Sequence, residues 1–265
     1  MAGMKQFLIF GLGYTAGRIA DRLRAEGWAV EATGSAGNLD FADGDAVRAA
    51  IGRASHILSS VPPVSGQDPV LVHYGAALRQ APACWTGYLS STGVYGDAGG
   101  GWVDESAPTG FGRRQARTEA DADWQALRAD ARVFRLPGIY GPGRSALDRV
   151  AEGKAHRIDL PGQLFSRVHV DDIVSGVIAS FGGPPGVYNL SDDLPCHQNR
   201  VIEAASELLG REPPPLQTME EAALSPQARA FYAENRRVAN GKAKRLLGWR
   251  PIYADYRAGL RACML

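Results

Sequence analysis

The feature that most constrains this chain lies near its start. An apolar run, Gln6-Phe-Leu-Ile-Phe10, passes directly into Gly11-Leu-Gly13-Tyr-Thr-Ala16-Gly17. Residues 15–26 then carry Ile19 and Leu23 at helical spacing, with Gly27 as a stop. A strand that turns sharply into a helix needs Gly11 for the turn, and Gly13 leaves room for a group to approach the backbone. Ala16 and Gly17 are small enough for the helix to pack against the strand. The first turn of a helix holds unpaired N–H groups and the positive end of the dipole, so the junction favours an anion. A glycine turn without a ligand would read the same in isolation. The strand before it and the helix after it make a dinucleotide pyrophosphate the stronger reading.

The same rhythm continues. Residues 28–33, 56–60, 85–90 and 132–136 read as strands, the second of these being the third or fourth strand of the sheet. Residues 45–52, 70–80 and 118–129 read as helices. This alternation predicts an α/β fold, a Rossmann-type doubly wound parallel sheet with helices on both faces. After residue 140 the rhythm weakens, with turn signals at Gly141-Pro-Gly-Arg144, Pro184-Pro185 and Pro213-Pro-Pro215 and helices expected over 173–180, 198–209 and 241–247. The expected organisation is a dinucleotide-binding domain over 1–140 and a mixed region over 141–265. The latter completes the sheet and forms a small C-terminal substrate lobe, in one integrated unit.

Charge and cysteine use narrow the function classes. A formal net charge of +1 gives no field to draw the chain to nucleic acid or to a membrane. Cys84, Cys196 and Cys263 are far apart and odd in number, with neither metal nor disulfide spacing, and the histidines lack metal-ligand spacing. The opening apolar run is too short for a signal segment, and a reducing cytoplasm is the expected compartment.

The end of the second strand reads the ribose of a bound dinucleotide. NAD sites place an acid there, but this chain has Thr33-Gly34-Ser35-Ala36-Gly37-Asn38. Thr33, Ser35 and Asn38 offer hydrogen bonds to a 2′-phosphate, and Arg18 is near in sequence. The expected cofactor is NADP or NAD, with a lean to NADP. Tyr14 and Thr15 in the loop, and Ser60-Val61-Pro62 at the end of the next strand, complete its expected surroundings.

Four later segments, Tyr88-Leu-Ser-Ser-Thr-Gly-Val-Tyr-Gly96, Arg135-Leu-Pro-Gly-Ile-Tyr-Gly-Pro142, Arg167-Val-His-Val-Asp-Asp-Ile173 and Val187-Tyr-Asn-Leu190, occur in order. With the glycine loop they resemble the extended short-chain dehydrogenase/reductase superfamily, which includes nucleotide-sugar epimerases and dehydratases. Asn235-Arg-Arg-Val and Leu247-Gly-Trp-Arg-Pro251 are similar to its closing segment. The resemblance implies that Ser91 holds the oxygen of the reacting carbonyl or hydroxyl; read without it, Ser91 is equally a strand-end serine bonded to local backbone. It also implies that Pro137, Gly138 and Ile139 lie beside the nicotinamide, and that Arg144 and Arg167 fall where substrate meets the sheet. Tyr95 and Tyr140 end strands near the cofactor; they could donate a proton, and are rather expected to line the substrate pocket or to pack under it.

One departure is large. The family's proton donor is a Tyr with a Lys four residues on. Matching its helix-start Glu to Glu119 puts Gln115 at the Lys position and Phe111 at the Tyr position, and no Tyr-x-x-x-Lys occurs from 96 to 135. Phe cannot donate a proton and Gln carries no charge. The chain is therefore similar to the atypical members. The segment Arg113-Arg114-Gln-Ala-Arg117 is cationic instead, and reads either as an anion site or as a solvated helix start. His169 reads as a packed strand residue, Asp171 or Asp172 as a helix cap, and Asp104-Glu105, after Gly99-Gly-Gly101, as a solvated loop or a flap. The expected function is an NAD(P)-dependent oxidoreductase or sugar- or carbonyl-modifying enzyme with a small, anionic substrate. A non-catalytic NAD(P)-binding sensor or scaffold is the alternative. Pairing of two copies through residues 70–80 and 118–129 is a further expectation.

Overall fold

A computed structural model describes residues 5–112 and 115–264. The strands in chain order are β1 (Gln6–Phe10), β2 (Ala29–Ala32), β3 (His56–Ser59), β4 (Trp85–Ser91), β5 (Trp102–Val103), β6 (Ala131–Leu136), β7 (Gly138–Tyr140), β8 (Arg157–Ile158), β9 (Arg167–His169), β10 (Gly186–Asn189), β11 (Leu216–Gln217) and β12 (Arg237–Val238). The α-helices are α1 (Tyr14–Ala25), α2 (Gly44–Arg53), α3 (Pro69–Arg79), α4 (Gln115–Leu127), α5 (Ala146–Ala151), α6 (Val170–Ala179), α7 (Gln198–Leu208), α8 (Pro226–Phe231), α9 (Gly241–Leu246) and α10 (Tyr256–Ala262).

The central sheet has six strands in the order β10-β6-β4-β3-β1-β2, all parallel. The chain runs outward from β1 to β2 and then crosses back to place β3 on the other side of β1. The crevice for a ligand therefore opens at the carboxyl ends of β1 and β3, as it does at the switch point of doubly wound sheets. Residues 56–59 are the third strand: only an isolated bridge, Thr33 to Leu39, separates β2 from α2.

Strand alternation divides the core into two layers. Phe7, Ile9, Leu58, Trp85, Leu89 and Phe134 pack on the side of α1 and α6. Leu8, Phe10, Ile57, Tyr88 and Val133 pack on the side of α2, α3 and α4. The second half of the chain supplies α6 and the sheet's last strand, β10. It also builds a lobe with its own core of Leu147, Val150, Val201, Ile202, Tyr256 and Leu260 on α5, α7 and α10. No helix among the described residues is long and apolar enough to cross a membrane.

Two local expectations change. The N-terminus of α6 is capped by the His169 ring, which accepts from the Asp171 N–H at 3.2 Å, and not by an aspartate. Asp172 is buried and accepts from the backbone N–H groups of Ile252 and Tyr253, tying down the closing segment. In α1, Ala16 packs against the sheet, whereas a Cβ added at Gly17 would meet no atom within 4 Å, so Gly17 is not needed for close packing.

Candidate active site

The glycine loop leaves β1 at Gly11, whose φ of +85° lies in the left-handed region. A Cβ there would stand 2.8 Å from Val61 Cγ2 and 3.2 Å from Ser60 Oγ. Hydrogen bonds fix the turn. The Gly11 N–H donates to Thr33 Oγ1 at 3.2 Å, the Leu12 N–H to Thr33 O at 2.8 Å, and the Ser60 hydroxyl to Gly11 O at 2.5 Å. The helix that follows has Gly13 at its N-cap, no side-chain cap and no acid in its first turn. By contrast, Asp43, Asp68, Ser145 and Asp255 cap α2, α3, α5 and α10. A Cβ at Gly13 would meet nothing within 4 Å. The orphan donors and positive dipole end of α1 thus border open space, an arrangement that fits a diphosphate.

Two cavities meet there, sharing Gly13 and Ser60 as walls. The smaller, about 480 Å³, is lined by Gly11, Thr33, Ser35, Phe41, Val61 and Pro62 among others. The larger, about 630 Å³, runs from Tyr14 and Thr15 past Ser91, Pro137, Gly138 and Ile139 to Arg144 and Arg167. Most residues expected around a cofactor are therefore brought together. Ala16 is not among them, being buried beneath the helix. Thr33 is buried with its hydroxyl accepting from Gly11, and Asn38 Oδ1 accepts from the Ala32 N–H at 2.9 Å. Of the polar groups expected at the ribose, Ser35 is exposed at the rim, and Asn38 is exposed with its Oδ1 engaged. Arg18 pairs with Asp171 at 3.7 Å. Tyr14 donates to Pro142 O at 3.1 Å, and the Arg144 guanidinium lies 5.6 Å from its ring centre, so the loop and the lobe touch here.

Ser91 ends β4 at the wall of the larger cavity. Its Oγ accepts from the Gly93 N–H at 3.1 Å and so caps a short turn over Thr92–Tyr95. Its neighbour Ser90 points to the other face and donates to Asp121 Oδ2 at 2.5 Å. Asp121 pairs with Arg135 at 2.8 Å, both almost fully buried, and Arg135 lies 4.9 Å from the centre of the Tyr95 ring. This network anchors α4 to the sheet just below Ser91.

The two candidate tyrosines move out of the site. Tyr95 is buried and donates to Asn189 Oδ1 at 2.8 Å; burial raises its phenol pKa. Tyr140 is buried against Gly259 and the His169 ring, and burial, followed by the charge of Asp192, pushes its phenol far above the usual range. Neither lines the cleft. Glu105 accepts from the Asn189 N–H at 2.7 Å, which pins the segment expected to be a solvated loop or flap.

The two positions matched in sequence to the family's Tyr and Lys lie away from the cleft. Phe111 is 75% exposed, and Gln115 is exposed and bonded to Glu119 at 2.9 Å, so neither position taken from the Glu119 match reaches the cleft. Arg117, half a turn further on, does. Its Nη1 donates to Tyr88 Oη at 2.8 Å, and burial pushes the Tyr88 phenol up to about 12. Arg113 and Arg114 lie outside the described residues.

The lobe side of the cleft carries four more arginines, 144, 149, 167 and 236. Arg167 is buried and donates to Phe165 O, Cys196 O and Gln198 Oε1, all neutral acceptors. Arg236 pairs with Glu234 at 2.8 Å. Tyr232 stands edge-on to Phe165 with ring centres 5.5 Å apart. Sequence reasoning missed Arg149, His156, Gln198 and Tyr232 as cleft residues. Arg149 sits on α5, whose Ser145–Asp148 capping box is a readable helix start. Arg236 sits in the closing segment, and the others carry no sequence signal.

No family model matches the chain. A functionally unknown conserved protein from Silicibacter pomeroyi DSS is 40% identical, with 98% of each chain covered and a TM-score of 0.88. The 3-diazoavenalumate denitrifying reductase of a Streptomyces species is 31% identical over 140 residues, 48% of this chain and 45% of that protein; the chain thus matches about half the length of that relative. A structure of the human epimerase family protein SDR39U1 with NADPH is 16% identical, with 98% and 99% covered and a TM-score of 0.77, and other structures of the same fold contain NAD.

Proposed function

Because the chain belongs to the same family as the Silicibacter pomeroyi protein and has the fold of the extended short-chain dehydrogenases/reductases, we propose that it binds NADP or NAD across the glycine loop and acts as an oxidoreductase on a small carbonyl compound. The observation that carries this reading is the uncapped first turn of α1 facing the open space at Gly13. The loop from Gly11 to Thr15 holds the diphosphate. Thr33 and Ser60 brace that loop; Ser35, Val61 and Pro62 border the adenosine end, and Pro137, Gly138 and Ile139 the nicotinamide end. The absence of an acid after β2 favours NADP.

A reduced nicotinamide bound there supplies hydride to a carbonyl carbon. Ser91 donates its hydroxyl proton in a hydrogen bond to the carbonyl oxygen. As the π pair moves onto that oxygen, Arg117 stabilises the alkoxide, and water supplies the proton. A general acid contributes about 10²–10⁴-fold, while one preorganised donor at a developing oxyanion contributes about 10²–10³-fold. A fixed cation thus replaces much of what the absent tyrosine supplies. The reductase named among the relatives supports the direction of transfer. The exposed Phe111 and Gln115 favour a second reading, a protein that binds the dinucleotide without chemistry.

Titration with NADPH and NADH, followed by nicotinamide fluorescence, tests the binding. Oxidation of NADPH across a panel of carbonyl compounds, repeated with Ser91→Ala, tests the chemistry. Micromolar binding with turnover that Ser91→Ala lowers about a hundredfold is expected, from the loss of one oxyanion donor. Binding without turnover leaves the sensor reading in place. No binding of either dinucleotide at millimolar concentration ends both.

A further inference from the structure

We propose that the substrate of this site carries an oxyanion group, a carboxylate or a phosphate, held by Arg144, Arg149 and Arg167 on the lobe side of the cleft. The proposal rests on the oxidoreductase reading and names its substrate class. The first support is charge. Arginines 117, 144, 149, 167 and 236 line the cleft, and Glu234 is the single carboxylate among the described lining residues. That carboxylate pairs with Arg236. A dinucleotide diphosphate belongs at Gly13; Arg144 reaches towards that end, against the Tyr14 ring, while Arg149 and Arg167 act on Tyr232 in the lobe.

The second support is burial. Arg167 is only 6% exposed, and its hydrogen bonds go to neutral oxygens and to a thiol. No carboxylate lies within ion-pair distance of it among the described residues. The carboxyl that acts on it is that of Asp192, which forms no ion pair with it and which burial pushes towards its neutral form, so an incoming anion offsets the cost of the buried charge. The third is convergence. Arg149 and Arg167 come from different elements, α5 and β9, yet both act on the Tyr232 phenol, lowering what burial raises. Arg144 is held against the Tyr14 ring, and Arg149 donates to Lys154 O at 3.1 Å, so these side chains are positioned before any ligand arrives. A guanidinium presents a planar fork that fits carboxylate and phosphate oxygens in pairs.

Size sets the rest. A cleft of about 630 Å³ must take both the nicotinamide end of the cofactor and the substrate. Pockets for one drug-sized ligand span about 300–1,000 Å³. The space left fits a small acid with a reducible carbonyl, not a nucleotide-linked sugar.

The test uses the full chain, loaded with NADPH so that the α1 terminus is filled, in a buffer without competing anions. Malonate, inorganic phosphate and the neutral malonamide are titrated by calorimetry. Malonate or phosphate is expected to bind and malonamide not to; tighter malonate assigns a carboxylate, tighter phosphate a phosphoryl group. Arg149→Met, on an exposed side chain that leaves the core intact, is expected to weaken the anion about tenfold, one charge-assisted contact, with NADPH affinity within about twofold. Arg144→Met serves as a second variant. Equal binding of malonamide, no binding of either anion, or unchanged anion affinity in both variants overturns the proposal. If NADPH fails to bind while malonate still binds to the free protein and loses affinity in Arg149→Met, the dinucleotide reading falls and the anion site stands.

Discussion

The two ends of the cleft are made of different material. At the glycine loop the contacts are backbone: a left-handed turn at Gly11, an uncapped helix end, and a gap where Gly13 has no side chain. At the lobe they are side chains, arginines reaching in from α5, β9, the 141–144 turn and the segment before β12. The difference teaches what each end recognises. A diphosphate is the same in every dinucleotide, so fixed N–H groups suffice. A substrate varies, and guanidinium groups on separate elements can be exchanged without rebuilding the sheet.

The hardest way to break this division is from the loop. Gly11→Val adds a β-branched side chain at φ +85° and 2.8 Å from Val61. Overpacking costs about 1–3 kcal/mol, and a left-handed conformation about 1–2 kcal/mol more. Denaturant unfolding is expected to show the combined loss, and dinucleotide binding to vanish. A variant as stable as the parent would mean that the turn is not built as described. Next comes Arg117→Met. If Arg117 acts on the developing alkoxide, kcat falls about 10²–10³-fold with NADPH affinity unchanged, and Arg117→Lys restores part of it. Loss of NADPH affinity with kcat intact would place Arg117 on the cofactor side and redraw the boundary between the two ends.

This division also explains what the sequence could show. Backbone sites leave spacing behind: Gly11, Gly13 and the strand-to-helix switch are adjacent letters, and the alternation of β1 to β4 with α1 to α3 follows from periodicity. The lobe end leaves almost none. Arginines 117, 144, 149, 167 and 236 share no interval, and only the fold gathers them. The Glu119 match fixed positions in sequence, whereas the face of α4 that meets the cleft carries Arg117 and turns Gln115 to solvent. Tyr95 and Tyr140 misled for a related reason. Both follow strands that end near the site, but Tyr95 points back to Asn189 and Tyr140 to Gly259 and His169. The Asp121–Arg135 pair beneath Ser91 was hidden by a separation of fourteen residues across two elements.

A gentler change at the loop sharpens the comparison. Gly13 has a φ of −101° that any residue adopts, and its Cβ would meet no protein atom. Gly13→Ala should therefore leave stability within about 0.5 kcal/mol of the parent. The new methyl occupies the space expected for the diphosphate, so NADPH should bind about tenfold more weakly, near 1.4 kcal/mol, with malonate affinity unchanged. Equal NADPH affinity would show that the dinucleotide does not pass over Gly13.

The smallest effect probes the lobe through pH. Asp192 is 2% exposed, and its Oδ2 has no hydrogen-bond partner. Burial pushes its carboxyl up to about 8, while Arg167 pulls it down and Asp193 and Asp255 raise it further. The folded chain therefore keeps this proton where the unfolded chain, with a carboxylate near 3.9, has lost it. The favourable contribution is complete below the unfolded value and is lost as pH rises through 8, at up to about 1.4 kcal/mol per unit. Asp172, raised to about 7, adds the same trend lower down, and His56, lowered to about 4, acts oppositely between about 4 and 6.5. Between pH 7 and 8 Asp192 dominates, and Asp192→Asn should flatten the fall in stability there. The same proton bears on the substrate. A neutral Asp192 leaves the Arg167 charge available to an anion, and ionisation opposes it. Malonate affinity should fall two- to threefold above pH 8, about 0.5 kcal/mol, in the parent but not in Asp192→Asn, while NADPH affinity holds in both. Parallel pH profiles for the two ligands would show that the ends of the cleft are electrostatically one site.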